Sequence, residues 1–162
     1  MATYTASGAE SYKQPVGSGG AANEQVVRSV WSASSATLAA NDQILLARLP
    51  KGAVIVGGRV YGGNMDSTGS GSALLDIDIG VDMGGTVDTD QLGNFGIWSS
   101  AAVTTIKPEV GYDMPLGGLL RTAGPQTMTG SYNHVYATVV ASAAGQTNGS
   151  ICLELRYLPS NN

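Results

Sequence analysis

The chain has little charge, one cysteine and no long apolar run. Only 12% of its 162 residues are charged, whereas soluble domains average about 25%. The net charge is −4 and the eight basic residues are scattered, which argues against a surface that follows a nucleic-acid backbone. Because Cys152 is the only cysteine, an intrachain disulfide and a zinc site built on several cysteines are excluded.

Targeting signals are also lacking. No stretch approaches the roughly 18 uninterrupted apolar residues of a membrane-spanning helix. The opening MATYTASGAESYKQ has no charged segment followed by an apolar one, which is the pattern of a secretory signal. We therefore expect neither a membrane partner nor secretion, and we expect synthesis in the cytoplasm of the producing cell.

Glycine and small residues dominate what is present. The chain contains 23 glycines, and it is poor in the glutamate, lysine and arginine that fill surface helices. This composition favours short strands joined by tight turns. The length fits one domain, since a chain near 150 residues buries roughly 70% of its unfolded surface.

Residues 1–22 predict an extended N-terminal arm. Their glycine, serine and alanine show neither helical nor strand periodicity and are typical of a flexible linker. We expect the arm to bind a neighbouring subunit, and its removal to leave the domain folded. Rigid or aromatic side chains give contact area at low entropic cost, so the predicted partner contacts are Tyr4, Tyr12, Pro15 and Val16.

Residues 23–160 predict an all-β domain. Strand signals recur every 10–15 residues or so with turn residues between them, which is typical of an antiparallel sandwich, and eight strands is the jelly-roll count. The predicted strands are 24–32, 43–49, 53–61, 73–82, 96–105, 116–121, 132–141 and 150–158.

Two of these segments alternate strictly between apolar and polar residues. Segment 73–82 contains DIDIGVD, and segment 150–158 is SICLELRYL. Such alternation predicts strands with one buried face and one solvent-facing face. In the first segment, Asp76, Asp78 and Asp82 are then expected to project into solvent.

The densest acidic group, Asp76, Asp78, Asp82, Asp88 and Asp90, also raises a calcium hypothesis. The EF-hand pattern fails, because the glycine comes one place early and a valine stands where the bidentate glutamate should be. A solvent-facing strand is the favoured interpretation, ahead of an assembly contact and of a cation site. We predict no metal site and no cofactor.

The only histidine is flanked by two tyrosines. His134 shares a strand face with Tyr132 and Tyr136, and a catalytic base needs a nucleophile and an orienting partner besides. GxSxG and HExxH are both absent. An aromatic ladder is favoured, and no catalytic residue is predicted. Trp31 and Trp98 are interpreted as core or interface residues, with a sugar-binding platform as the alternative.

Three segments resemble proteins of tailed bacteriophages. They are NDQILLARLPKGAVIVGGRVYGG (41–63), LLDIDIGVD with the Asp-rich VDTDQLGNF that follows, and the closing ICLELRYL. In the first, Leu49-Pro50-Lys51-Gly52 is expected to close a hairpin, and VDTDQLGNF is expected to be a loop. Together they are similar to jelly-roll capsid decoration, or cement, proteins.

The resemblance implies a fold and a role without chemistry. Decoration proteins of this kind use no cofactor, form homodimers or homotrimers, and bind major capsid proteins on the outer surface of the virion. Low charge and abundant glycine fit a tail, baseplate or head-fibre subunit equally well. A carbohydrate-binding jelly roll is a further alternative.

Overall fold

The computed structural model describes residues 1–9, 24–33, 38–68, 74–84, 87–97, 112–114, 126–130 and 133–159. Within these residues the chain is all-β and contains no helix. The ten strands are β1 (Thr3–Thr5), β2 (Gln25–Ser32), β3 (Gln43–Arg48), β4 (Val54–Gly62), β5 (Asp76–Asp82), β6 (Val87–Ile97), β7 (Tyr112–Met114), β8 (Gln126–Thr127), β9 (His134–Ala141) and β10 (Ser150–Leu158).

The strands form two sheets. Sheet A has the order β1-β3-β9-β5-β6, and sheet B has the order β2-β10-β4-β7 with β8 also paired to β4. All pairings are antiparallel except that of β1 with β3. Each sheet therefore combines strands that are distant in sequence, and sheet A is mixed.

One hydrophobic core contains side chains from both sheets. Fully buried aliphatic residues alternate along β5, β9 and β10, and the ring of Tyr4 in sheet A lies 5.7 Å from that of Trp31 in sheet B. Burying each large aliphatic side chain contributes about 1.5–3 kcal/mol relative to exposure. The fully buried members include Ile44, Leu46, Ile77, Ile79, Ile151, Leu153 and Leu155.

Six predicted strands are present, with shifted ends. They correspond to β2, β3, β4, β5, β9 and β10, while residues 98–105 and 116–121 of the other two lie outside the described residues. The described residues contain ten strands. Of the four that were not predicted, β1, β7 and β8 span three residues or fewer and are too short to show a period.

The Asp-rich segment was wrongly predicted to be a loop. Residues Val87–Ile97 form β6, which pairs with β5 and shows register shifts along the pairing. Aspartate and glycine are depleted in strands, so local propensity favoured a loop there. Pairing to the inner strand β5 overrides that preference, and charged residues are common on strands that lie at a sheet edge.

The predicted hairpin at residues 49–52 is also incorrect. This turn joins β3 of sheet A to β4 of sheet B, so its flanking strands do not pair with each other. Its local chemistry is as expected, because Gly52 has φ of 80° and Ala53 N–H donates to Pro50 O at 3.1 Å. The turn signal was right, and the destination of the following strand was not encoded in it.

Residues 1–9 of the predicted arm lie against the two sheets. Strand β1 pairs with β3, and Ser7 exchanges backbone hydrogen bonds of 2.8 and 2.9 Å with Val30 of β2. Ala6 and Ala9 are buried in the core. The N-terminal segment thus contacts sheet A first and sheet B next. Residues 10–22 lie outside the described residues, and the arm boundary at residue 22 stays a prediction.

The two alternating segments differ in burial. Strand β10 alternates regularly between buried and half-buried residues, as predicted. Strand β5 is buried at every position between its two ends, so the prediction that its aspartates face solvent is wrong for Asp78. Both faces of sheet A are covered at this strand, whereas alternation in a sequence reports only which residues share a face.

Candidate assembly surface

The outer face of sheet B is open to solvent. We give this name to the outward side chains of β2, β10 and β4, which the strand register arranges in three rows. One end row holds Val30, Cys152 and Tyr61, the middle row holds Arg28, Glu154 and Arg59, and the other end row holds Val26, Arg156 and Gly57. Val26, Val30 and Tyr61 are exposed large hydrophobic residues on this one face.

Charged side chains lie between these apolar groups. Arg28 Nε lies 2.9 Å from a carboxylate oxygen of Glu154, and Arg59 lies 5.8 Å from the ring centre of Tyr61. Arg156 lies 3.5 Å from Glu24. Solvent-exposed ion pairs contribute at most about 1 kcal/mol each, so the fold does not depend on them. Arginine and tyrosine together are typical of protein interfaces.

Cys152 lies in the middle strand of this face, between Val30 and Tyr61. Its side chain is half-buried. Burial raises the pKa of the Cys152 thiol above its ordinary value, and a hydrogen bond with Ser150 acts in the opposite direction. The thiol is therefore a weak nucleophile near neutral pH. Its position makes it a natural probe of whether the face is covered.

The predicted contact residues are only partly described. Tyr4 packs on Trp31 within the same chain and is half-buried. Tyr12, Pro15 and Val16 lie outside the described residues. Trp31 is buried in the core, which removes it as a sugar-binding platform, and Trp98 lies outside the described residues.

His134 belongs to a row of sheet A. The register places it between Arg48 of β3 and Asp82 of β5, and its Nδ1 shares a 3.2 Å hydrogen bond with the Tyr136 hydroxyl. Burial lowers the pKa of His134, as does the charge of Arg48, while Asp82 opposes them. The aromatic contact with Tyr136 agrees with the predicted ladder. None of the three neighbours named here, Arg48, Asp82 and Tyr136, is a serine or cysteine nucleophile.

Sequence reasoning missed the buried carboxylate of Asp66. Its two oxygens accept six hydrogen bonds from Thr68, Leu74, Leu75, Ala144 and Gly145, with Thr68 contributing both its amide and its hydroxyl. Burial alone would raise the pKa of Asp66, but these donors outweigh it and hold the pKa far below its usual range.

Asp66 links two loops that connect sheet A with sheet B. The loop after β4 leads from sheet B to sheet A, and the loop before β10 leads back. An Asp-Ser-Thr sequence signals a local turn, and Thr68 N–H to Asp66 Oδ1 at 3.0 Å is that turn. The contacts with residues 144 and 145 have no local signal.

A second carboxylate holds the N-terminal residues. Asp42 accepts hydrogen bonds from the Ala2 amide at 2.5 Å and the Ala39 amide at 3.0 Å. These two bonds lower the pKa of Asp42. The acid in the turn before β3 therefore fixes the start of β1 beside that strand.

The described residues contain no group of three or more histidine, cysteine, aspartate or glutamate side chains placed to hold a metal ion. Over the same part of the chain, no helix is long and apolar enough to cross a membrane.

Two solved structures share the fold. A chain in the "Cyanophage Pam1 capsid asymmetric unit" superposes with a TM-score of 0.66 at 18% identity, over 94% of this chain and 96% of that chain. A chain in the "Capsid of Ralstonia phage GP4" gives 0.62 at 22% identity, over 99% of this chain and 100% of that chain. The likeness is one of fold. No protein-family model and no curated protein matches the chain.

Proposed function

We propose that the chain is a structural virion protein of a tailed bacteriophage, a jelly-roll decoration (cement) protein. The observation that carries this proposal is the fold likeness to chains of two phage capsids. Each superposition spans nearly all of both chains, so the similar chains are of about this size. The residues that resemble decoration proteins support the same role.

In this proposal the chain performs no chemistry and stabilises the phage head by binding. It binds the outer surface of the assembled major capsid protein lattice and not the loose subunits, so mass action favours the assembled state. A homodimer or homotrimer would hold several sites at once, which raises the effective concentration at each of them. The protein is made in the host cytoplasm and is located on the virion surface.

The outer face of sheet B is the proposed capsid contact. It combines exposed apolar groups with arginine and tyrosine, and its ion pairs contribute little to the fold. Standard interfaces bury about 800 Å² on each partner, so further contacts beyond one face of three strands are expected. The predicted contacts at Tyr12, Pro15 and Val16 would add to the area buried on the capsid.

The experiment measures binding of purified protein to phage capsids that lack it. Val30→Asp changes the outer face of sheet B, and Val140→Asp is the matched control on β9, because these valines are 45% and 47% exposed. We expect Val30→Asp to weaken capsid occupancy at least tenfold by placing a charge in an apolar contact, and Val140→Asp to bind normally. Both variants should fold.

Cys152 gives an independent footprint. The rate at which a small thiol reagent labels it should fall on capsids, because the face would be covered. Cryo-EM of the decorated particle should show the chain at icosahedral lattice positions. Unchanged labelling on occupied capsids would reject the outer face of sheet B as the contact, and density on a tail axis would reject the decoration role.

A further inference from the structure

Two acidic side chains on β5 are held in the sheet instead of in water. Asp76 and Asp78 are two residues apart on one strand, so their side chains leave the same face of sheet A, roughly 7 Å apart at the backbone. Asp78 is 5% exposed, and Asp76, the first residue of β5, is half-buried. A buried carboxylate normally has a compensating charge or hydrogen bonds.

A buried hydroxyl lies beside them. Thr138 of β9 is directly opposite Asp78 in the register, on the same face, and it is 6% exposed. Its Oγ1 and the Oδ1 of Asp76 are buried atoms without a hydrogen-bond partner in the structure. Opposed side chains in an antiparallel pair have Cβ atoms about 5 Å apart, so the Thr138 hydroxyl is within reach of Asp78. Asp76 lies diagonal to Thr138 and pairs with Ala141 across a register shift.

A paired neighbour supplies a further oxygen. Gln43 of β3 lies opposite Thr138 on the same face. Arg48 is in another row, beside His134. Carboxylate, hydroxyl and amide oxygens are the ligands of hard cations, and Ca²⁺ accepts the irregular geometry that side chains on adjacent strands provide.

We propose that Asp76, Asp78 and Thr138 form a calcium-binding site on sheet A. The ion would neutralise the paired carboxylates and use the buried hydroxyl as a neutral ligand. Asp76 at the end of the strand provides the way in from solvent. With two carboxylates the site belongs to the weak class, with a dissociation constant of about 0.1–1 mM. The inference does not depend on the proposed virion role.

A competing occupant is a proton. Burial raises the pKa of Asp76, although a hydrogen bond from the Ile77 amide opposes this. A carboxylate in this position can be compensated by either species. The two occupants have opposite consequences in the same experiment, because protons stabilise on acidification and calcium stabilises near neutral pH, where the carboxylates are ionised.

The test follows thermal unfolding of the EDTA-treated protein at pH 7.5 as CaCl₂ is added, with NaCl holding the ionic strength constant. At 10 mM calcium, a site of about 1 mM affinity multiplies the folded-to-unfolded ratio roughly tenfold. We expect this gain in the natural protein, none in Asp76→Asn and a reduced gain in Thr138→Val.

Asp82→Asn is the matched control. Asp82 lies on the same strand and is half-buried, and its carboxylate accepts a hydrogen bond from Gly84 at 2.8 Å, which an asparagine oxygen can also accept. It should respond to calcium as the natural protein does. No response of the natural protein, or an equal gain in Asp76→Asn, would overturn the site.

A second readout avoids dependence on the variants. Terbium(III), a luminescent substitute for calcium, should bind the natural protein, and calcium should displace it. Tyr136 lies two residues from Thr138 on the same strand face and can sensitise the ion. Stabilisation of the EDTA-treated protein between pH 7 and 5, combined with no terbium signal, would identify a proton as the occupant and reject the proposal.

Discussion

Sheets A and B differ in whether the polar faces of their strands are covered or exposed to solvent. The inner strand β5 of sheet A is buried on both faces, and the inner strand β10 of sheet B is buried on one. Both sequences alternate with the same period. Alternation therefore determines which residues share a face, and the packing of other segments determines whether that face is wet.

The polar side chains of β10 are longer than those of β5, which agrees with the difference in exposure. The polar residues of β10 include Glu154 and Arg156, whose long side chains carry their charge into solvent while the stems cover the sheet. Those of β5 are aspartates, which are too short to leave a covered face. Residues on the open face contribute little to folding stability and can therefore contact a partner. Residues on the covered face are needed for folding stability.

The strongest test of this comparison substitutes one apolar residue on each outer face. Leu45 of β3 is 3% exposed and pairs with Tyr136, and Val30 is its exposed counterpart on sheet B. Leu45→Asp should lower the free energy of unfolding by about 4 kcal/mol or more, because it buries an unpaired charge. Val30→Asp should cost less than about 1 kcal/mol.

Urea denaturation measures both values. Leu45→Ala and Val30→Ala repeat the comparison in variants that fold. The expected losses of unfolding free energy are about 2–4 kcal/mol for Leu45→Ala and less than about 1 kcal/mol for Val30→Ala. Equal losses at the two positions would mean that the outer faces are covered to the same degree.

The next test concerns the connections between the sheets. Asp66→Ala removes the acceptor for six hydrogen bonds and leaves buried amides without partners, so we expect a loss of about 3 kcal/mol. Asp66→Asn should lose less, because one oxygen remains. Asp82→Ala is the control, an acid with a single loop hydrogen bond in the described structure, and should cost under about 1 kcal/mol.

The pH dependence of this effect has a defined sign. The pKa of Asp66 is lowered in the folded state, so its contribution is complete above the unfolded value of about 3.9 and is lost as the pH falls below it. The difference in unfolding free energy between the natural protein and Asp66→Ala should be constant near neutral pH and shrink below about pH 4. A constant difference down to pH 2 would contradict this origin.

Much of the fold was predictable where the signal is local. Alternation in 150–158 gave the location and the buried face of β10 correctly, and Gly52 marked a turn. The sequence did not encode which sheet a strand joins, as the predicted hairpin at residues 49–52 shows. Strand β6 was missed because its aspartates and glycines contradict strand propensity, and only pairing with β5 explains it.

The candidate sites divide in the same way. The alternation in 150–158 places Cys152 opposite the apolar face of its strand, but the neighbours that make an open face come from β2 and β4, far away in sequence. Asp66 has a turn signal and no signal for its distant donors. Asp78 was assigned to solvent because a period of two cannot report what covers a sheet.

The smallest expected effect concerns the segment that passes from sheet A to sheet B. Gly8 has φ of 88°, and a Cβ there would lie 2.5 Å from the Arg28 carbonyl oxygen. Gly8→Ala should detach this segment locally, at about 1–2 kcal/mol. The Val30 amide, which donates to Ser7 O at 2.9 Å, should then exchange with solvent roughly tenfold faster, since 1.4 kcal/mol is a factor of ten.

Gly84→Ala is the control, because Gly84 has a similar φ of 81° in the exposed turn after β5. It introduces comparable backbone strain without contacting β2, so exchange at Val30 should stay unchanged. If Gly8→Ala also leaves that exchange rate unchanged, residues 7–9 do not protect the edge of sheet B. That edge would then be available for strand pairing with a partner, and the contrast between a covered sheet and an open one would extend from its face to its edge.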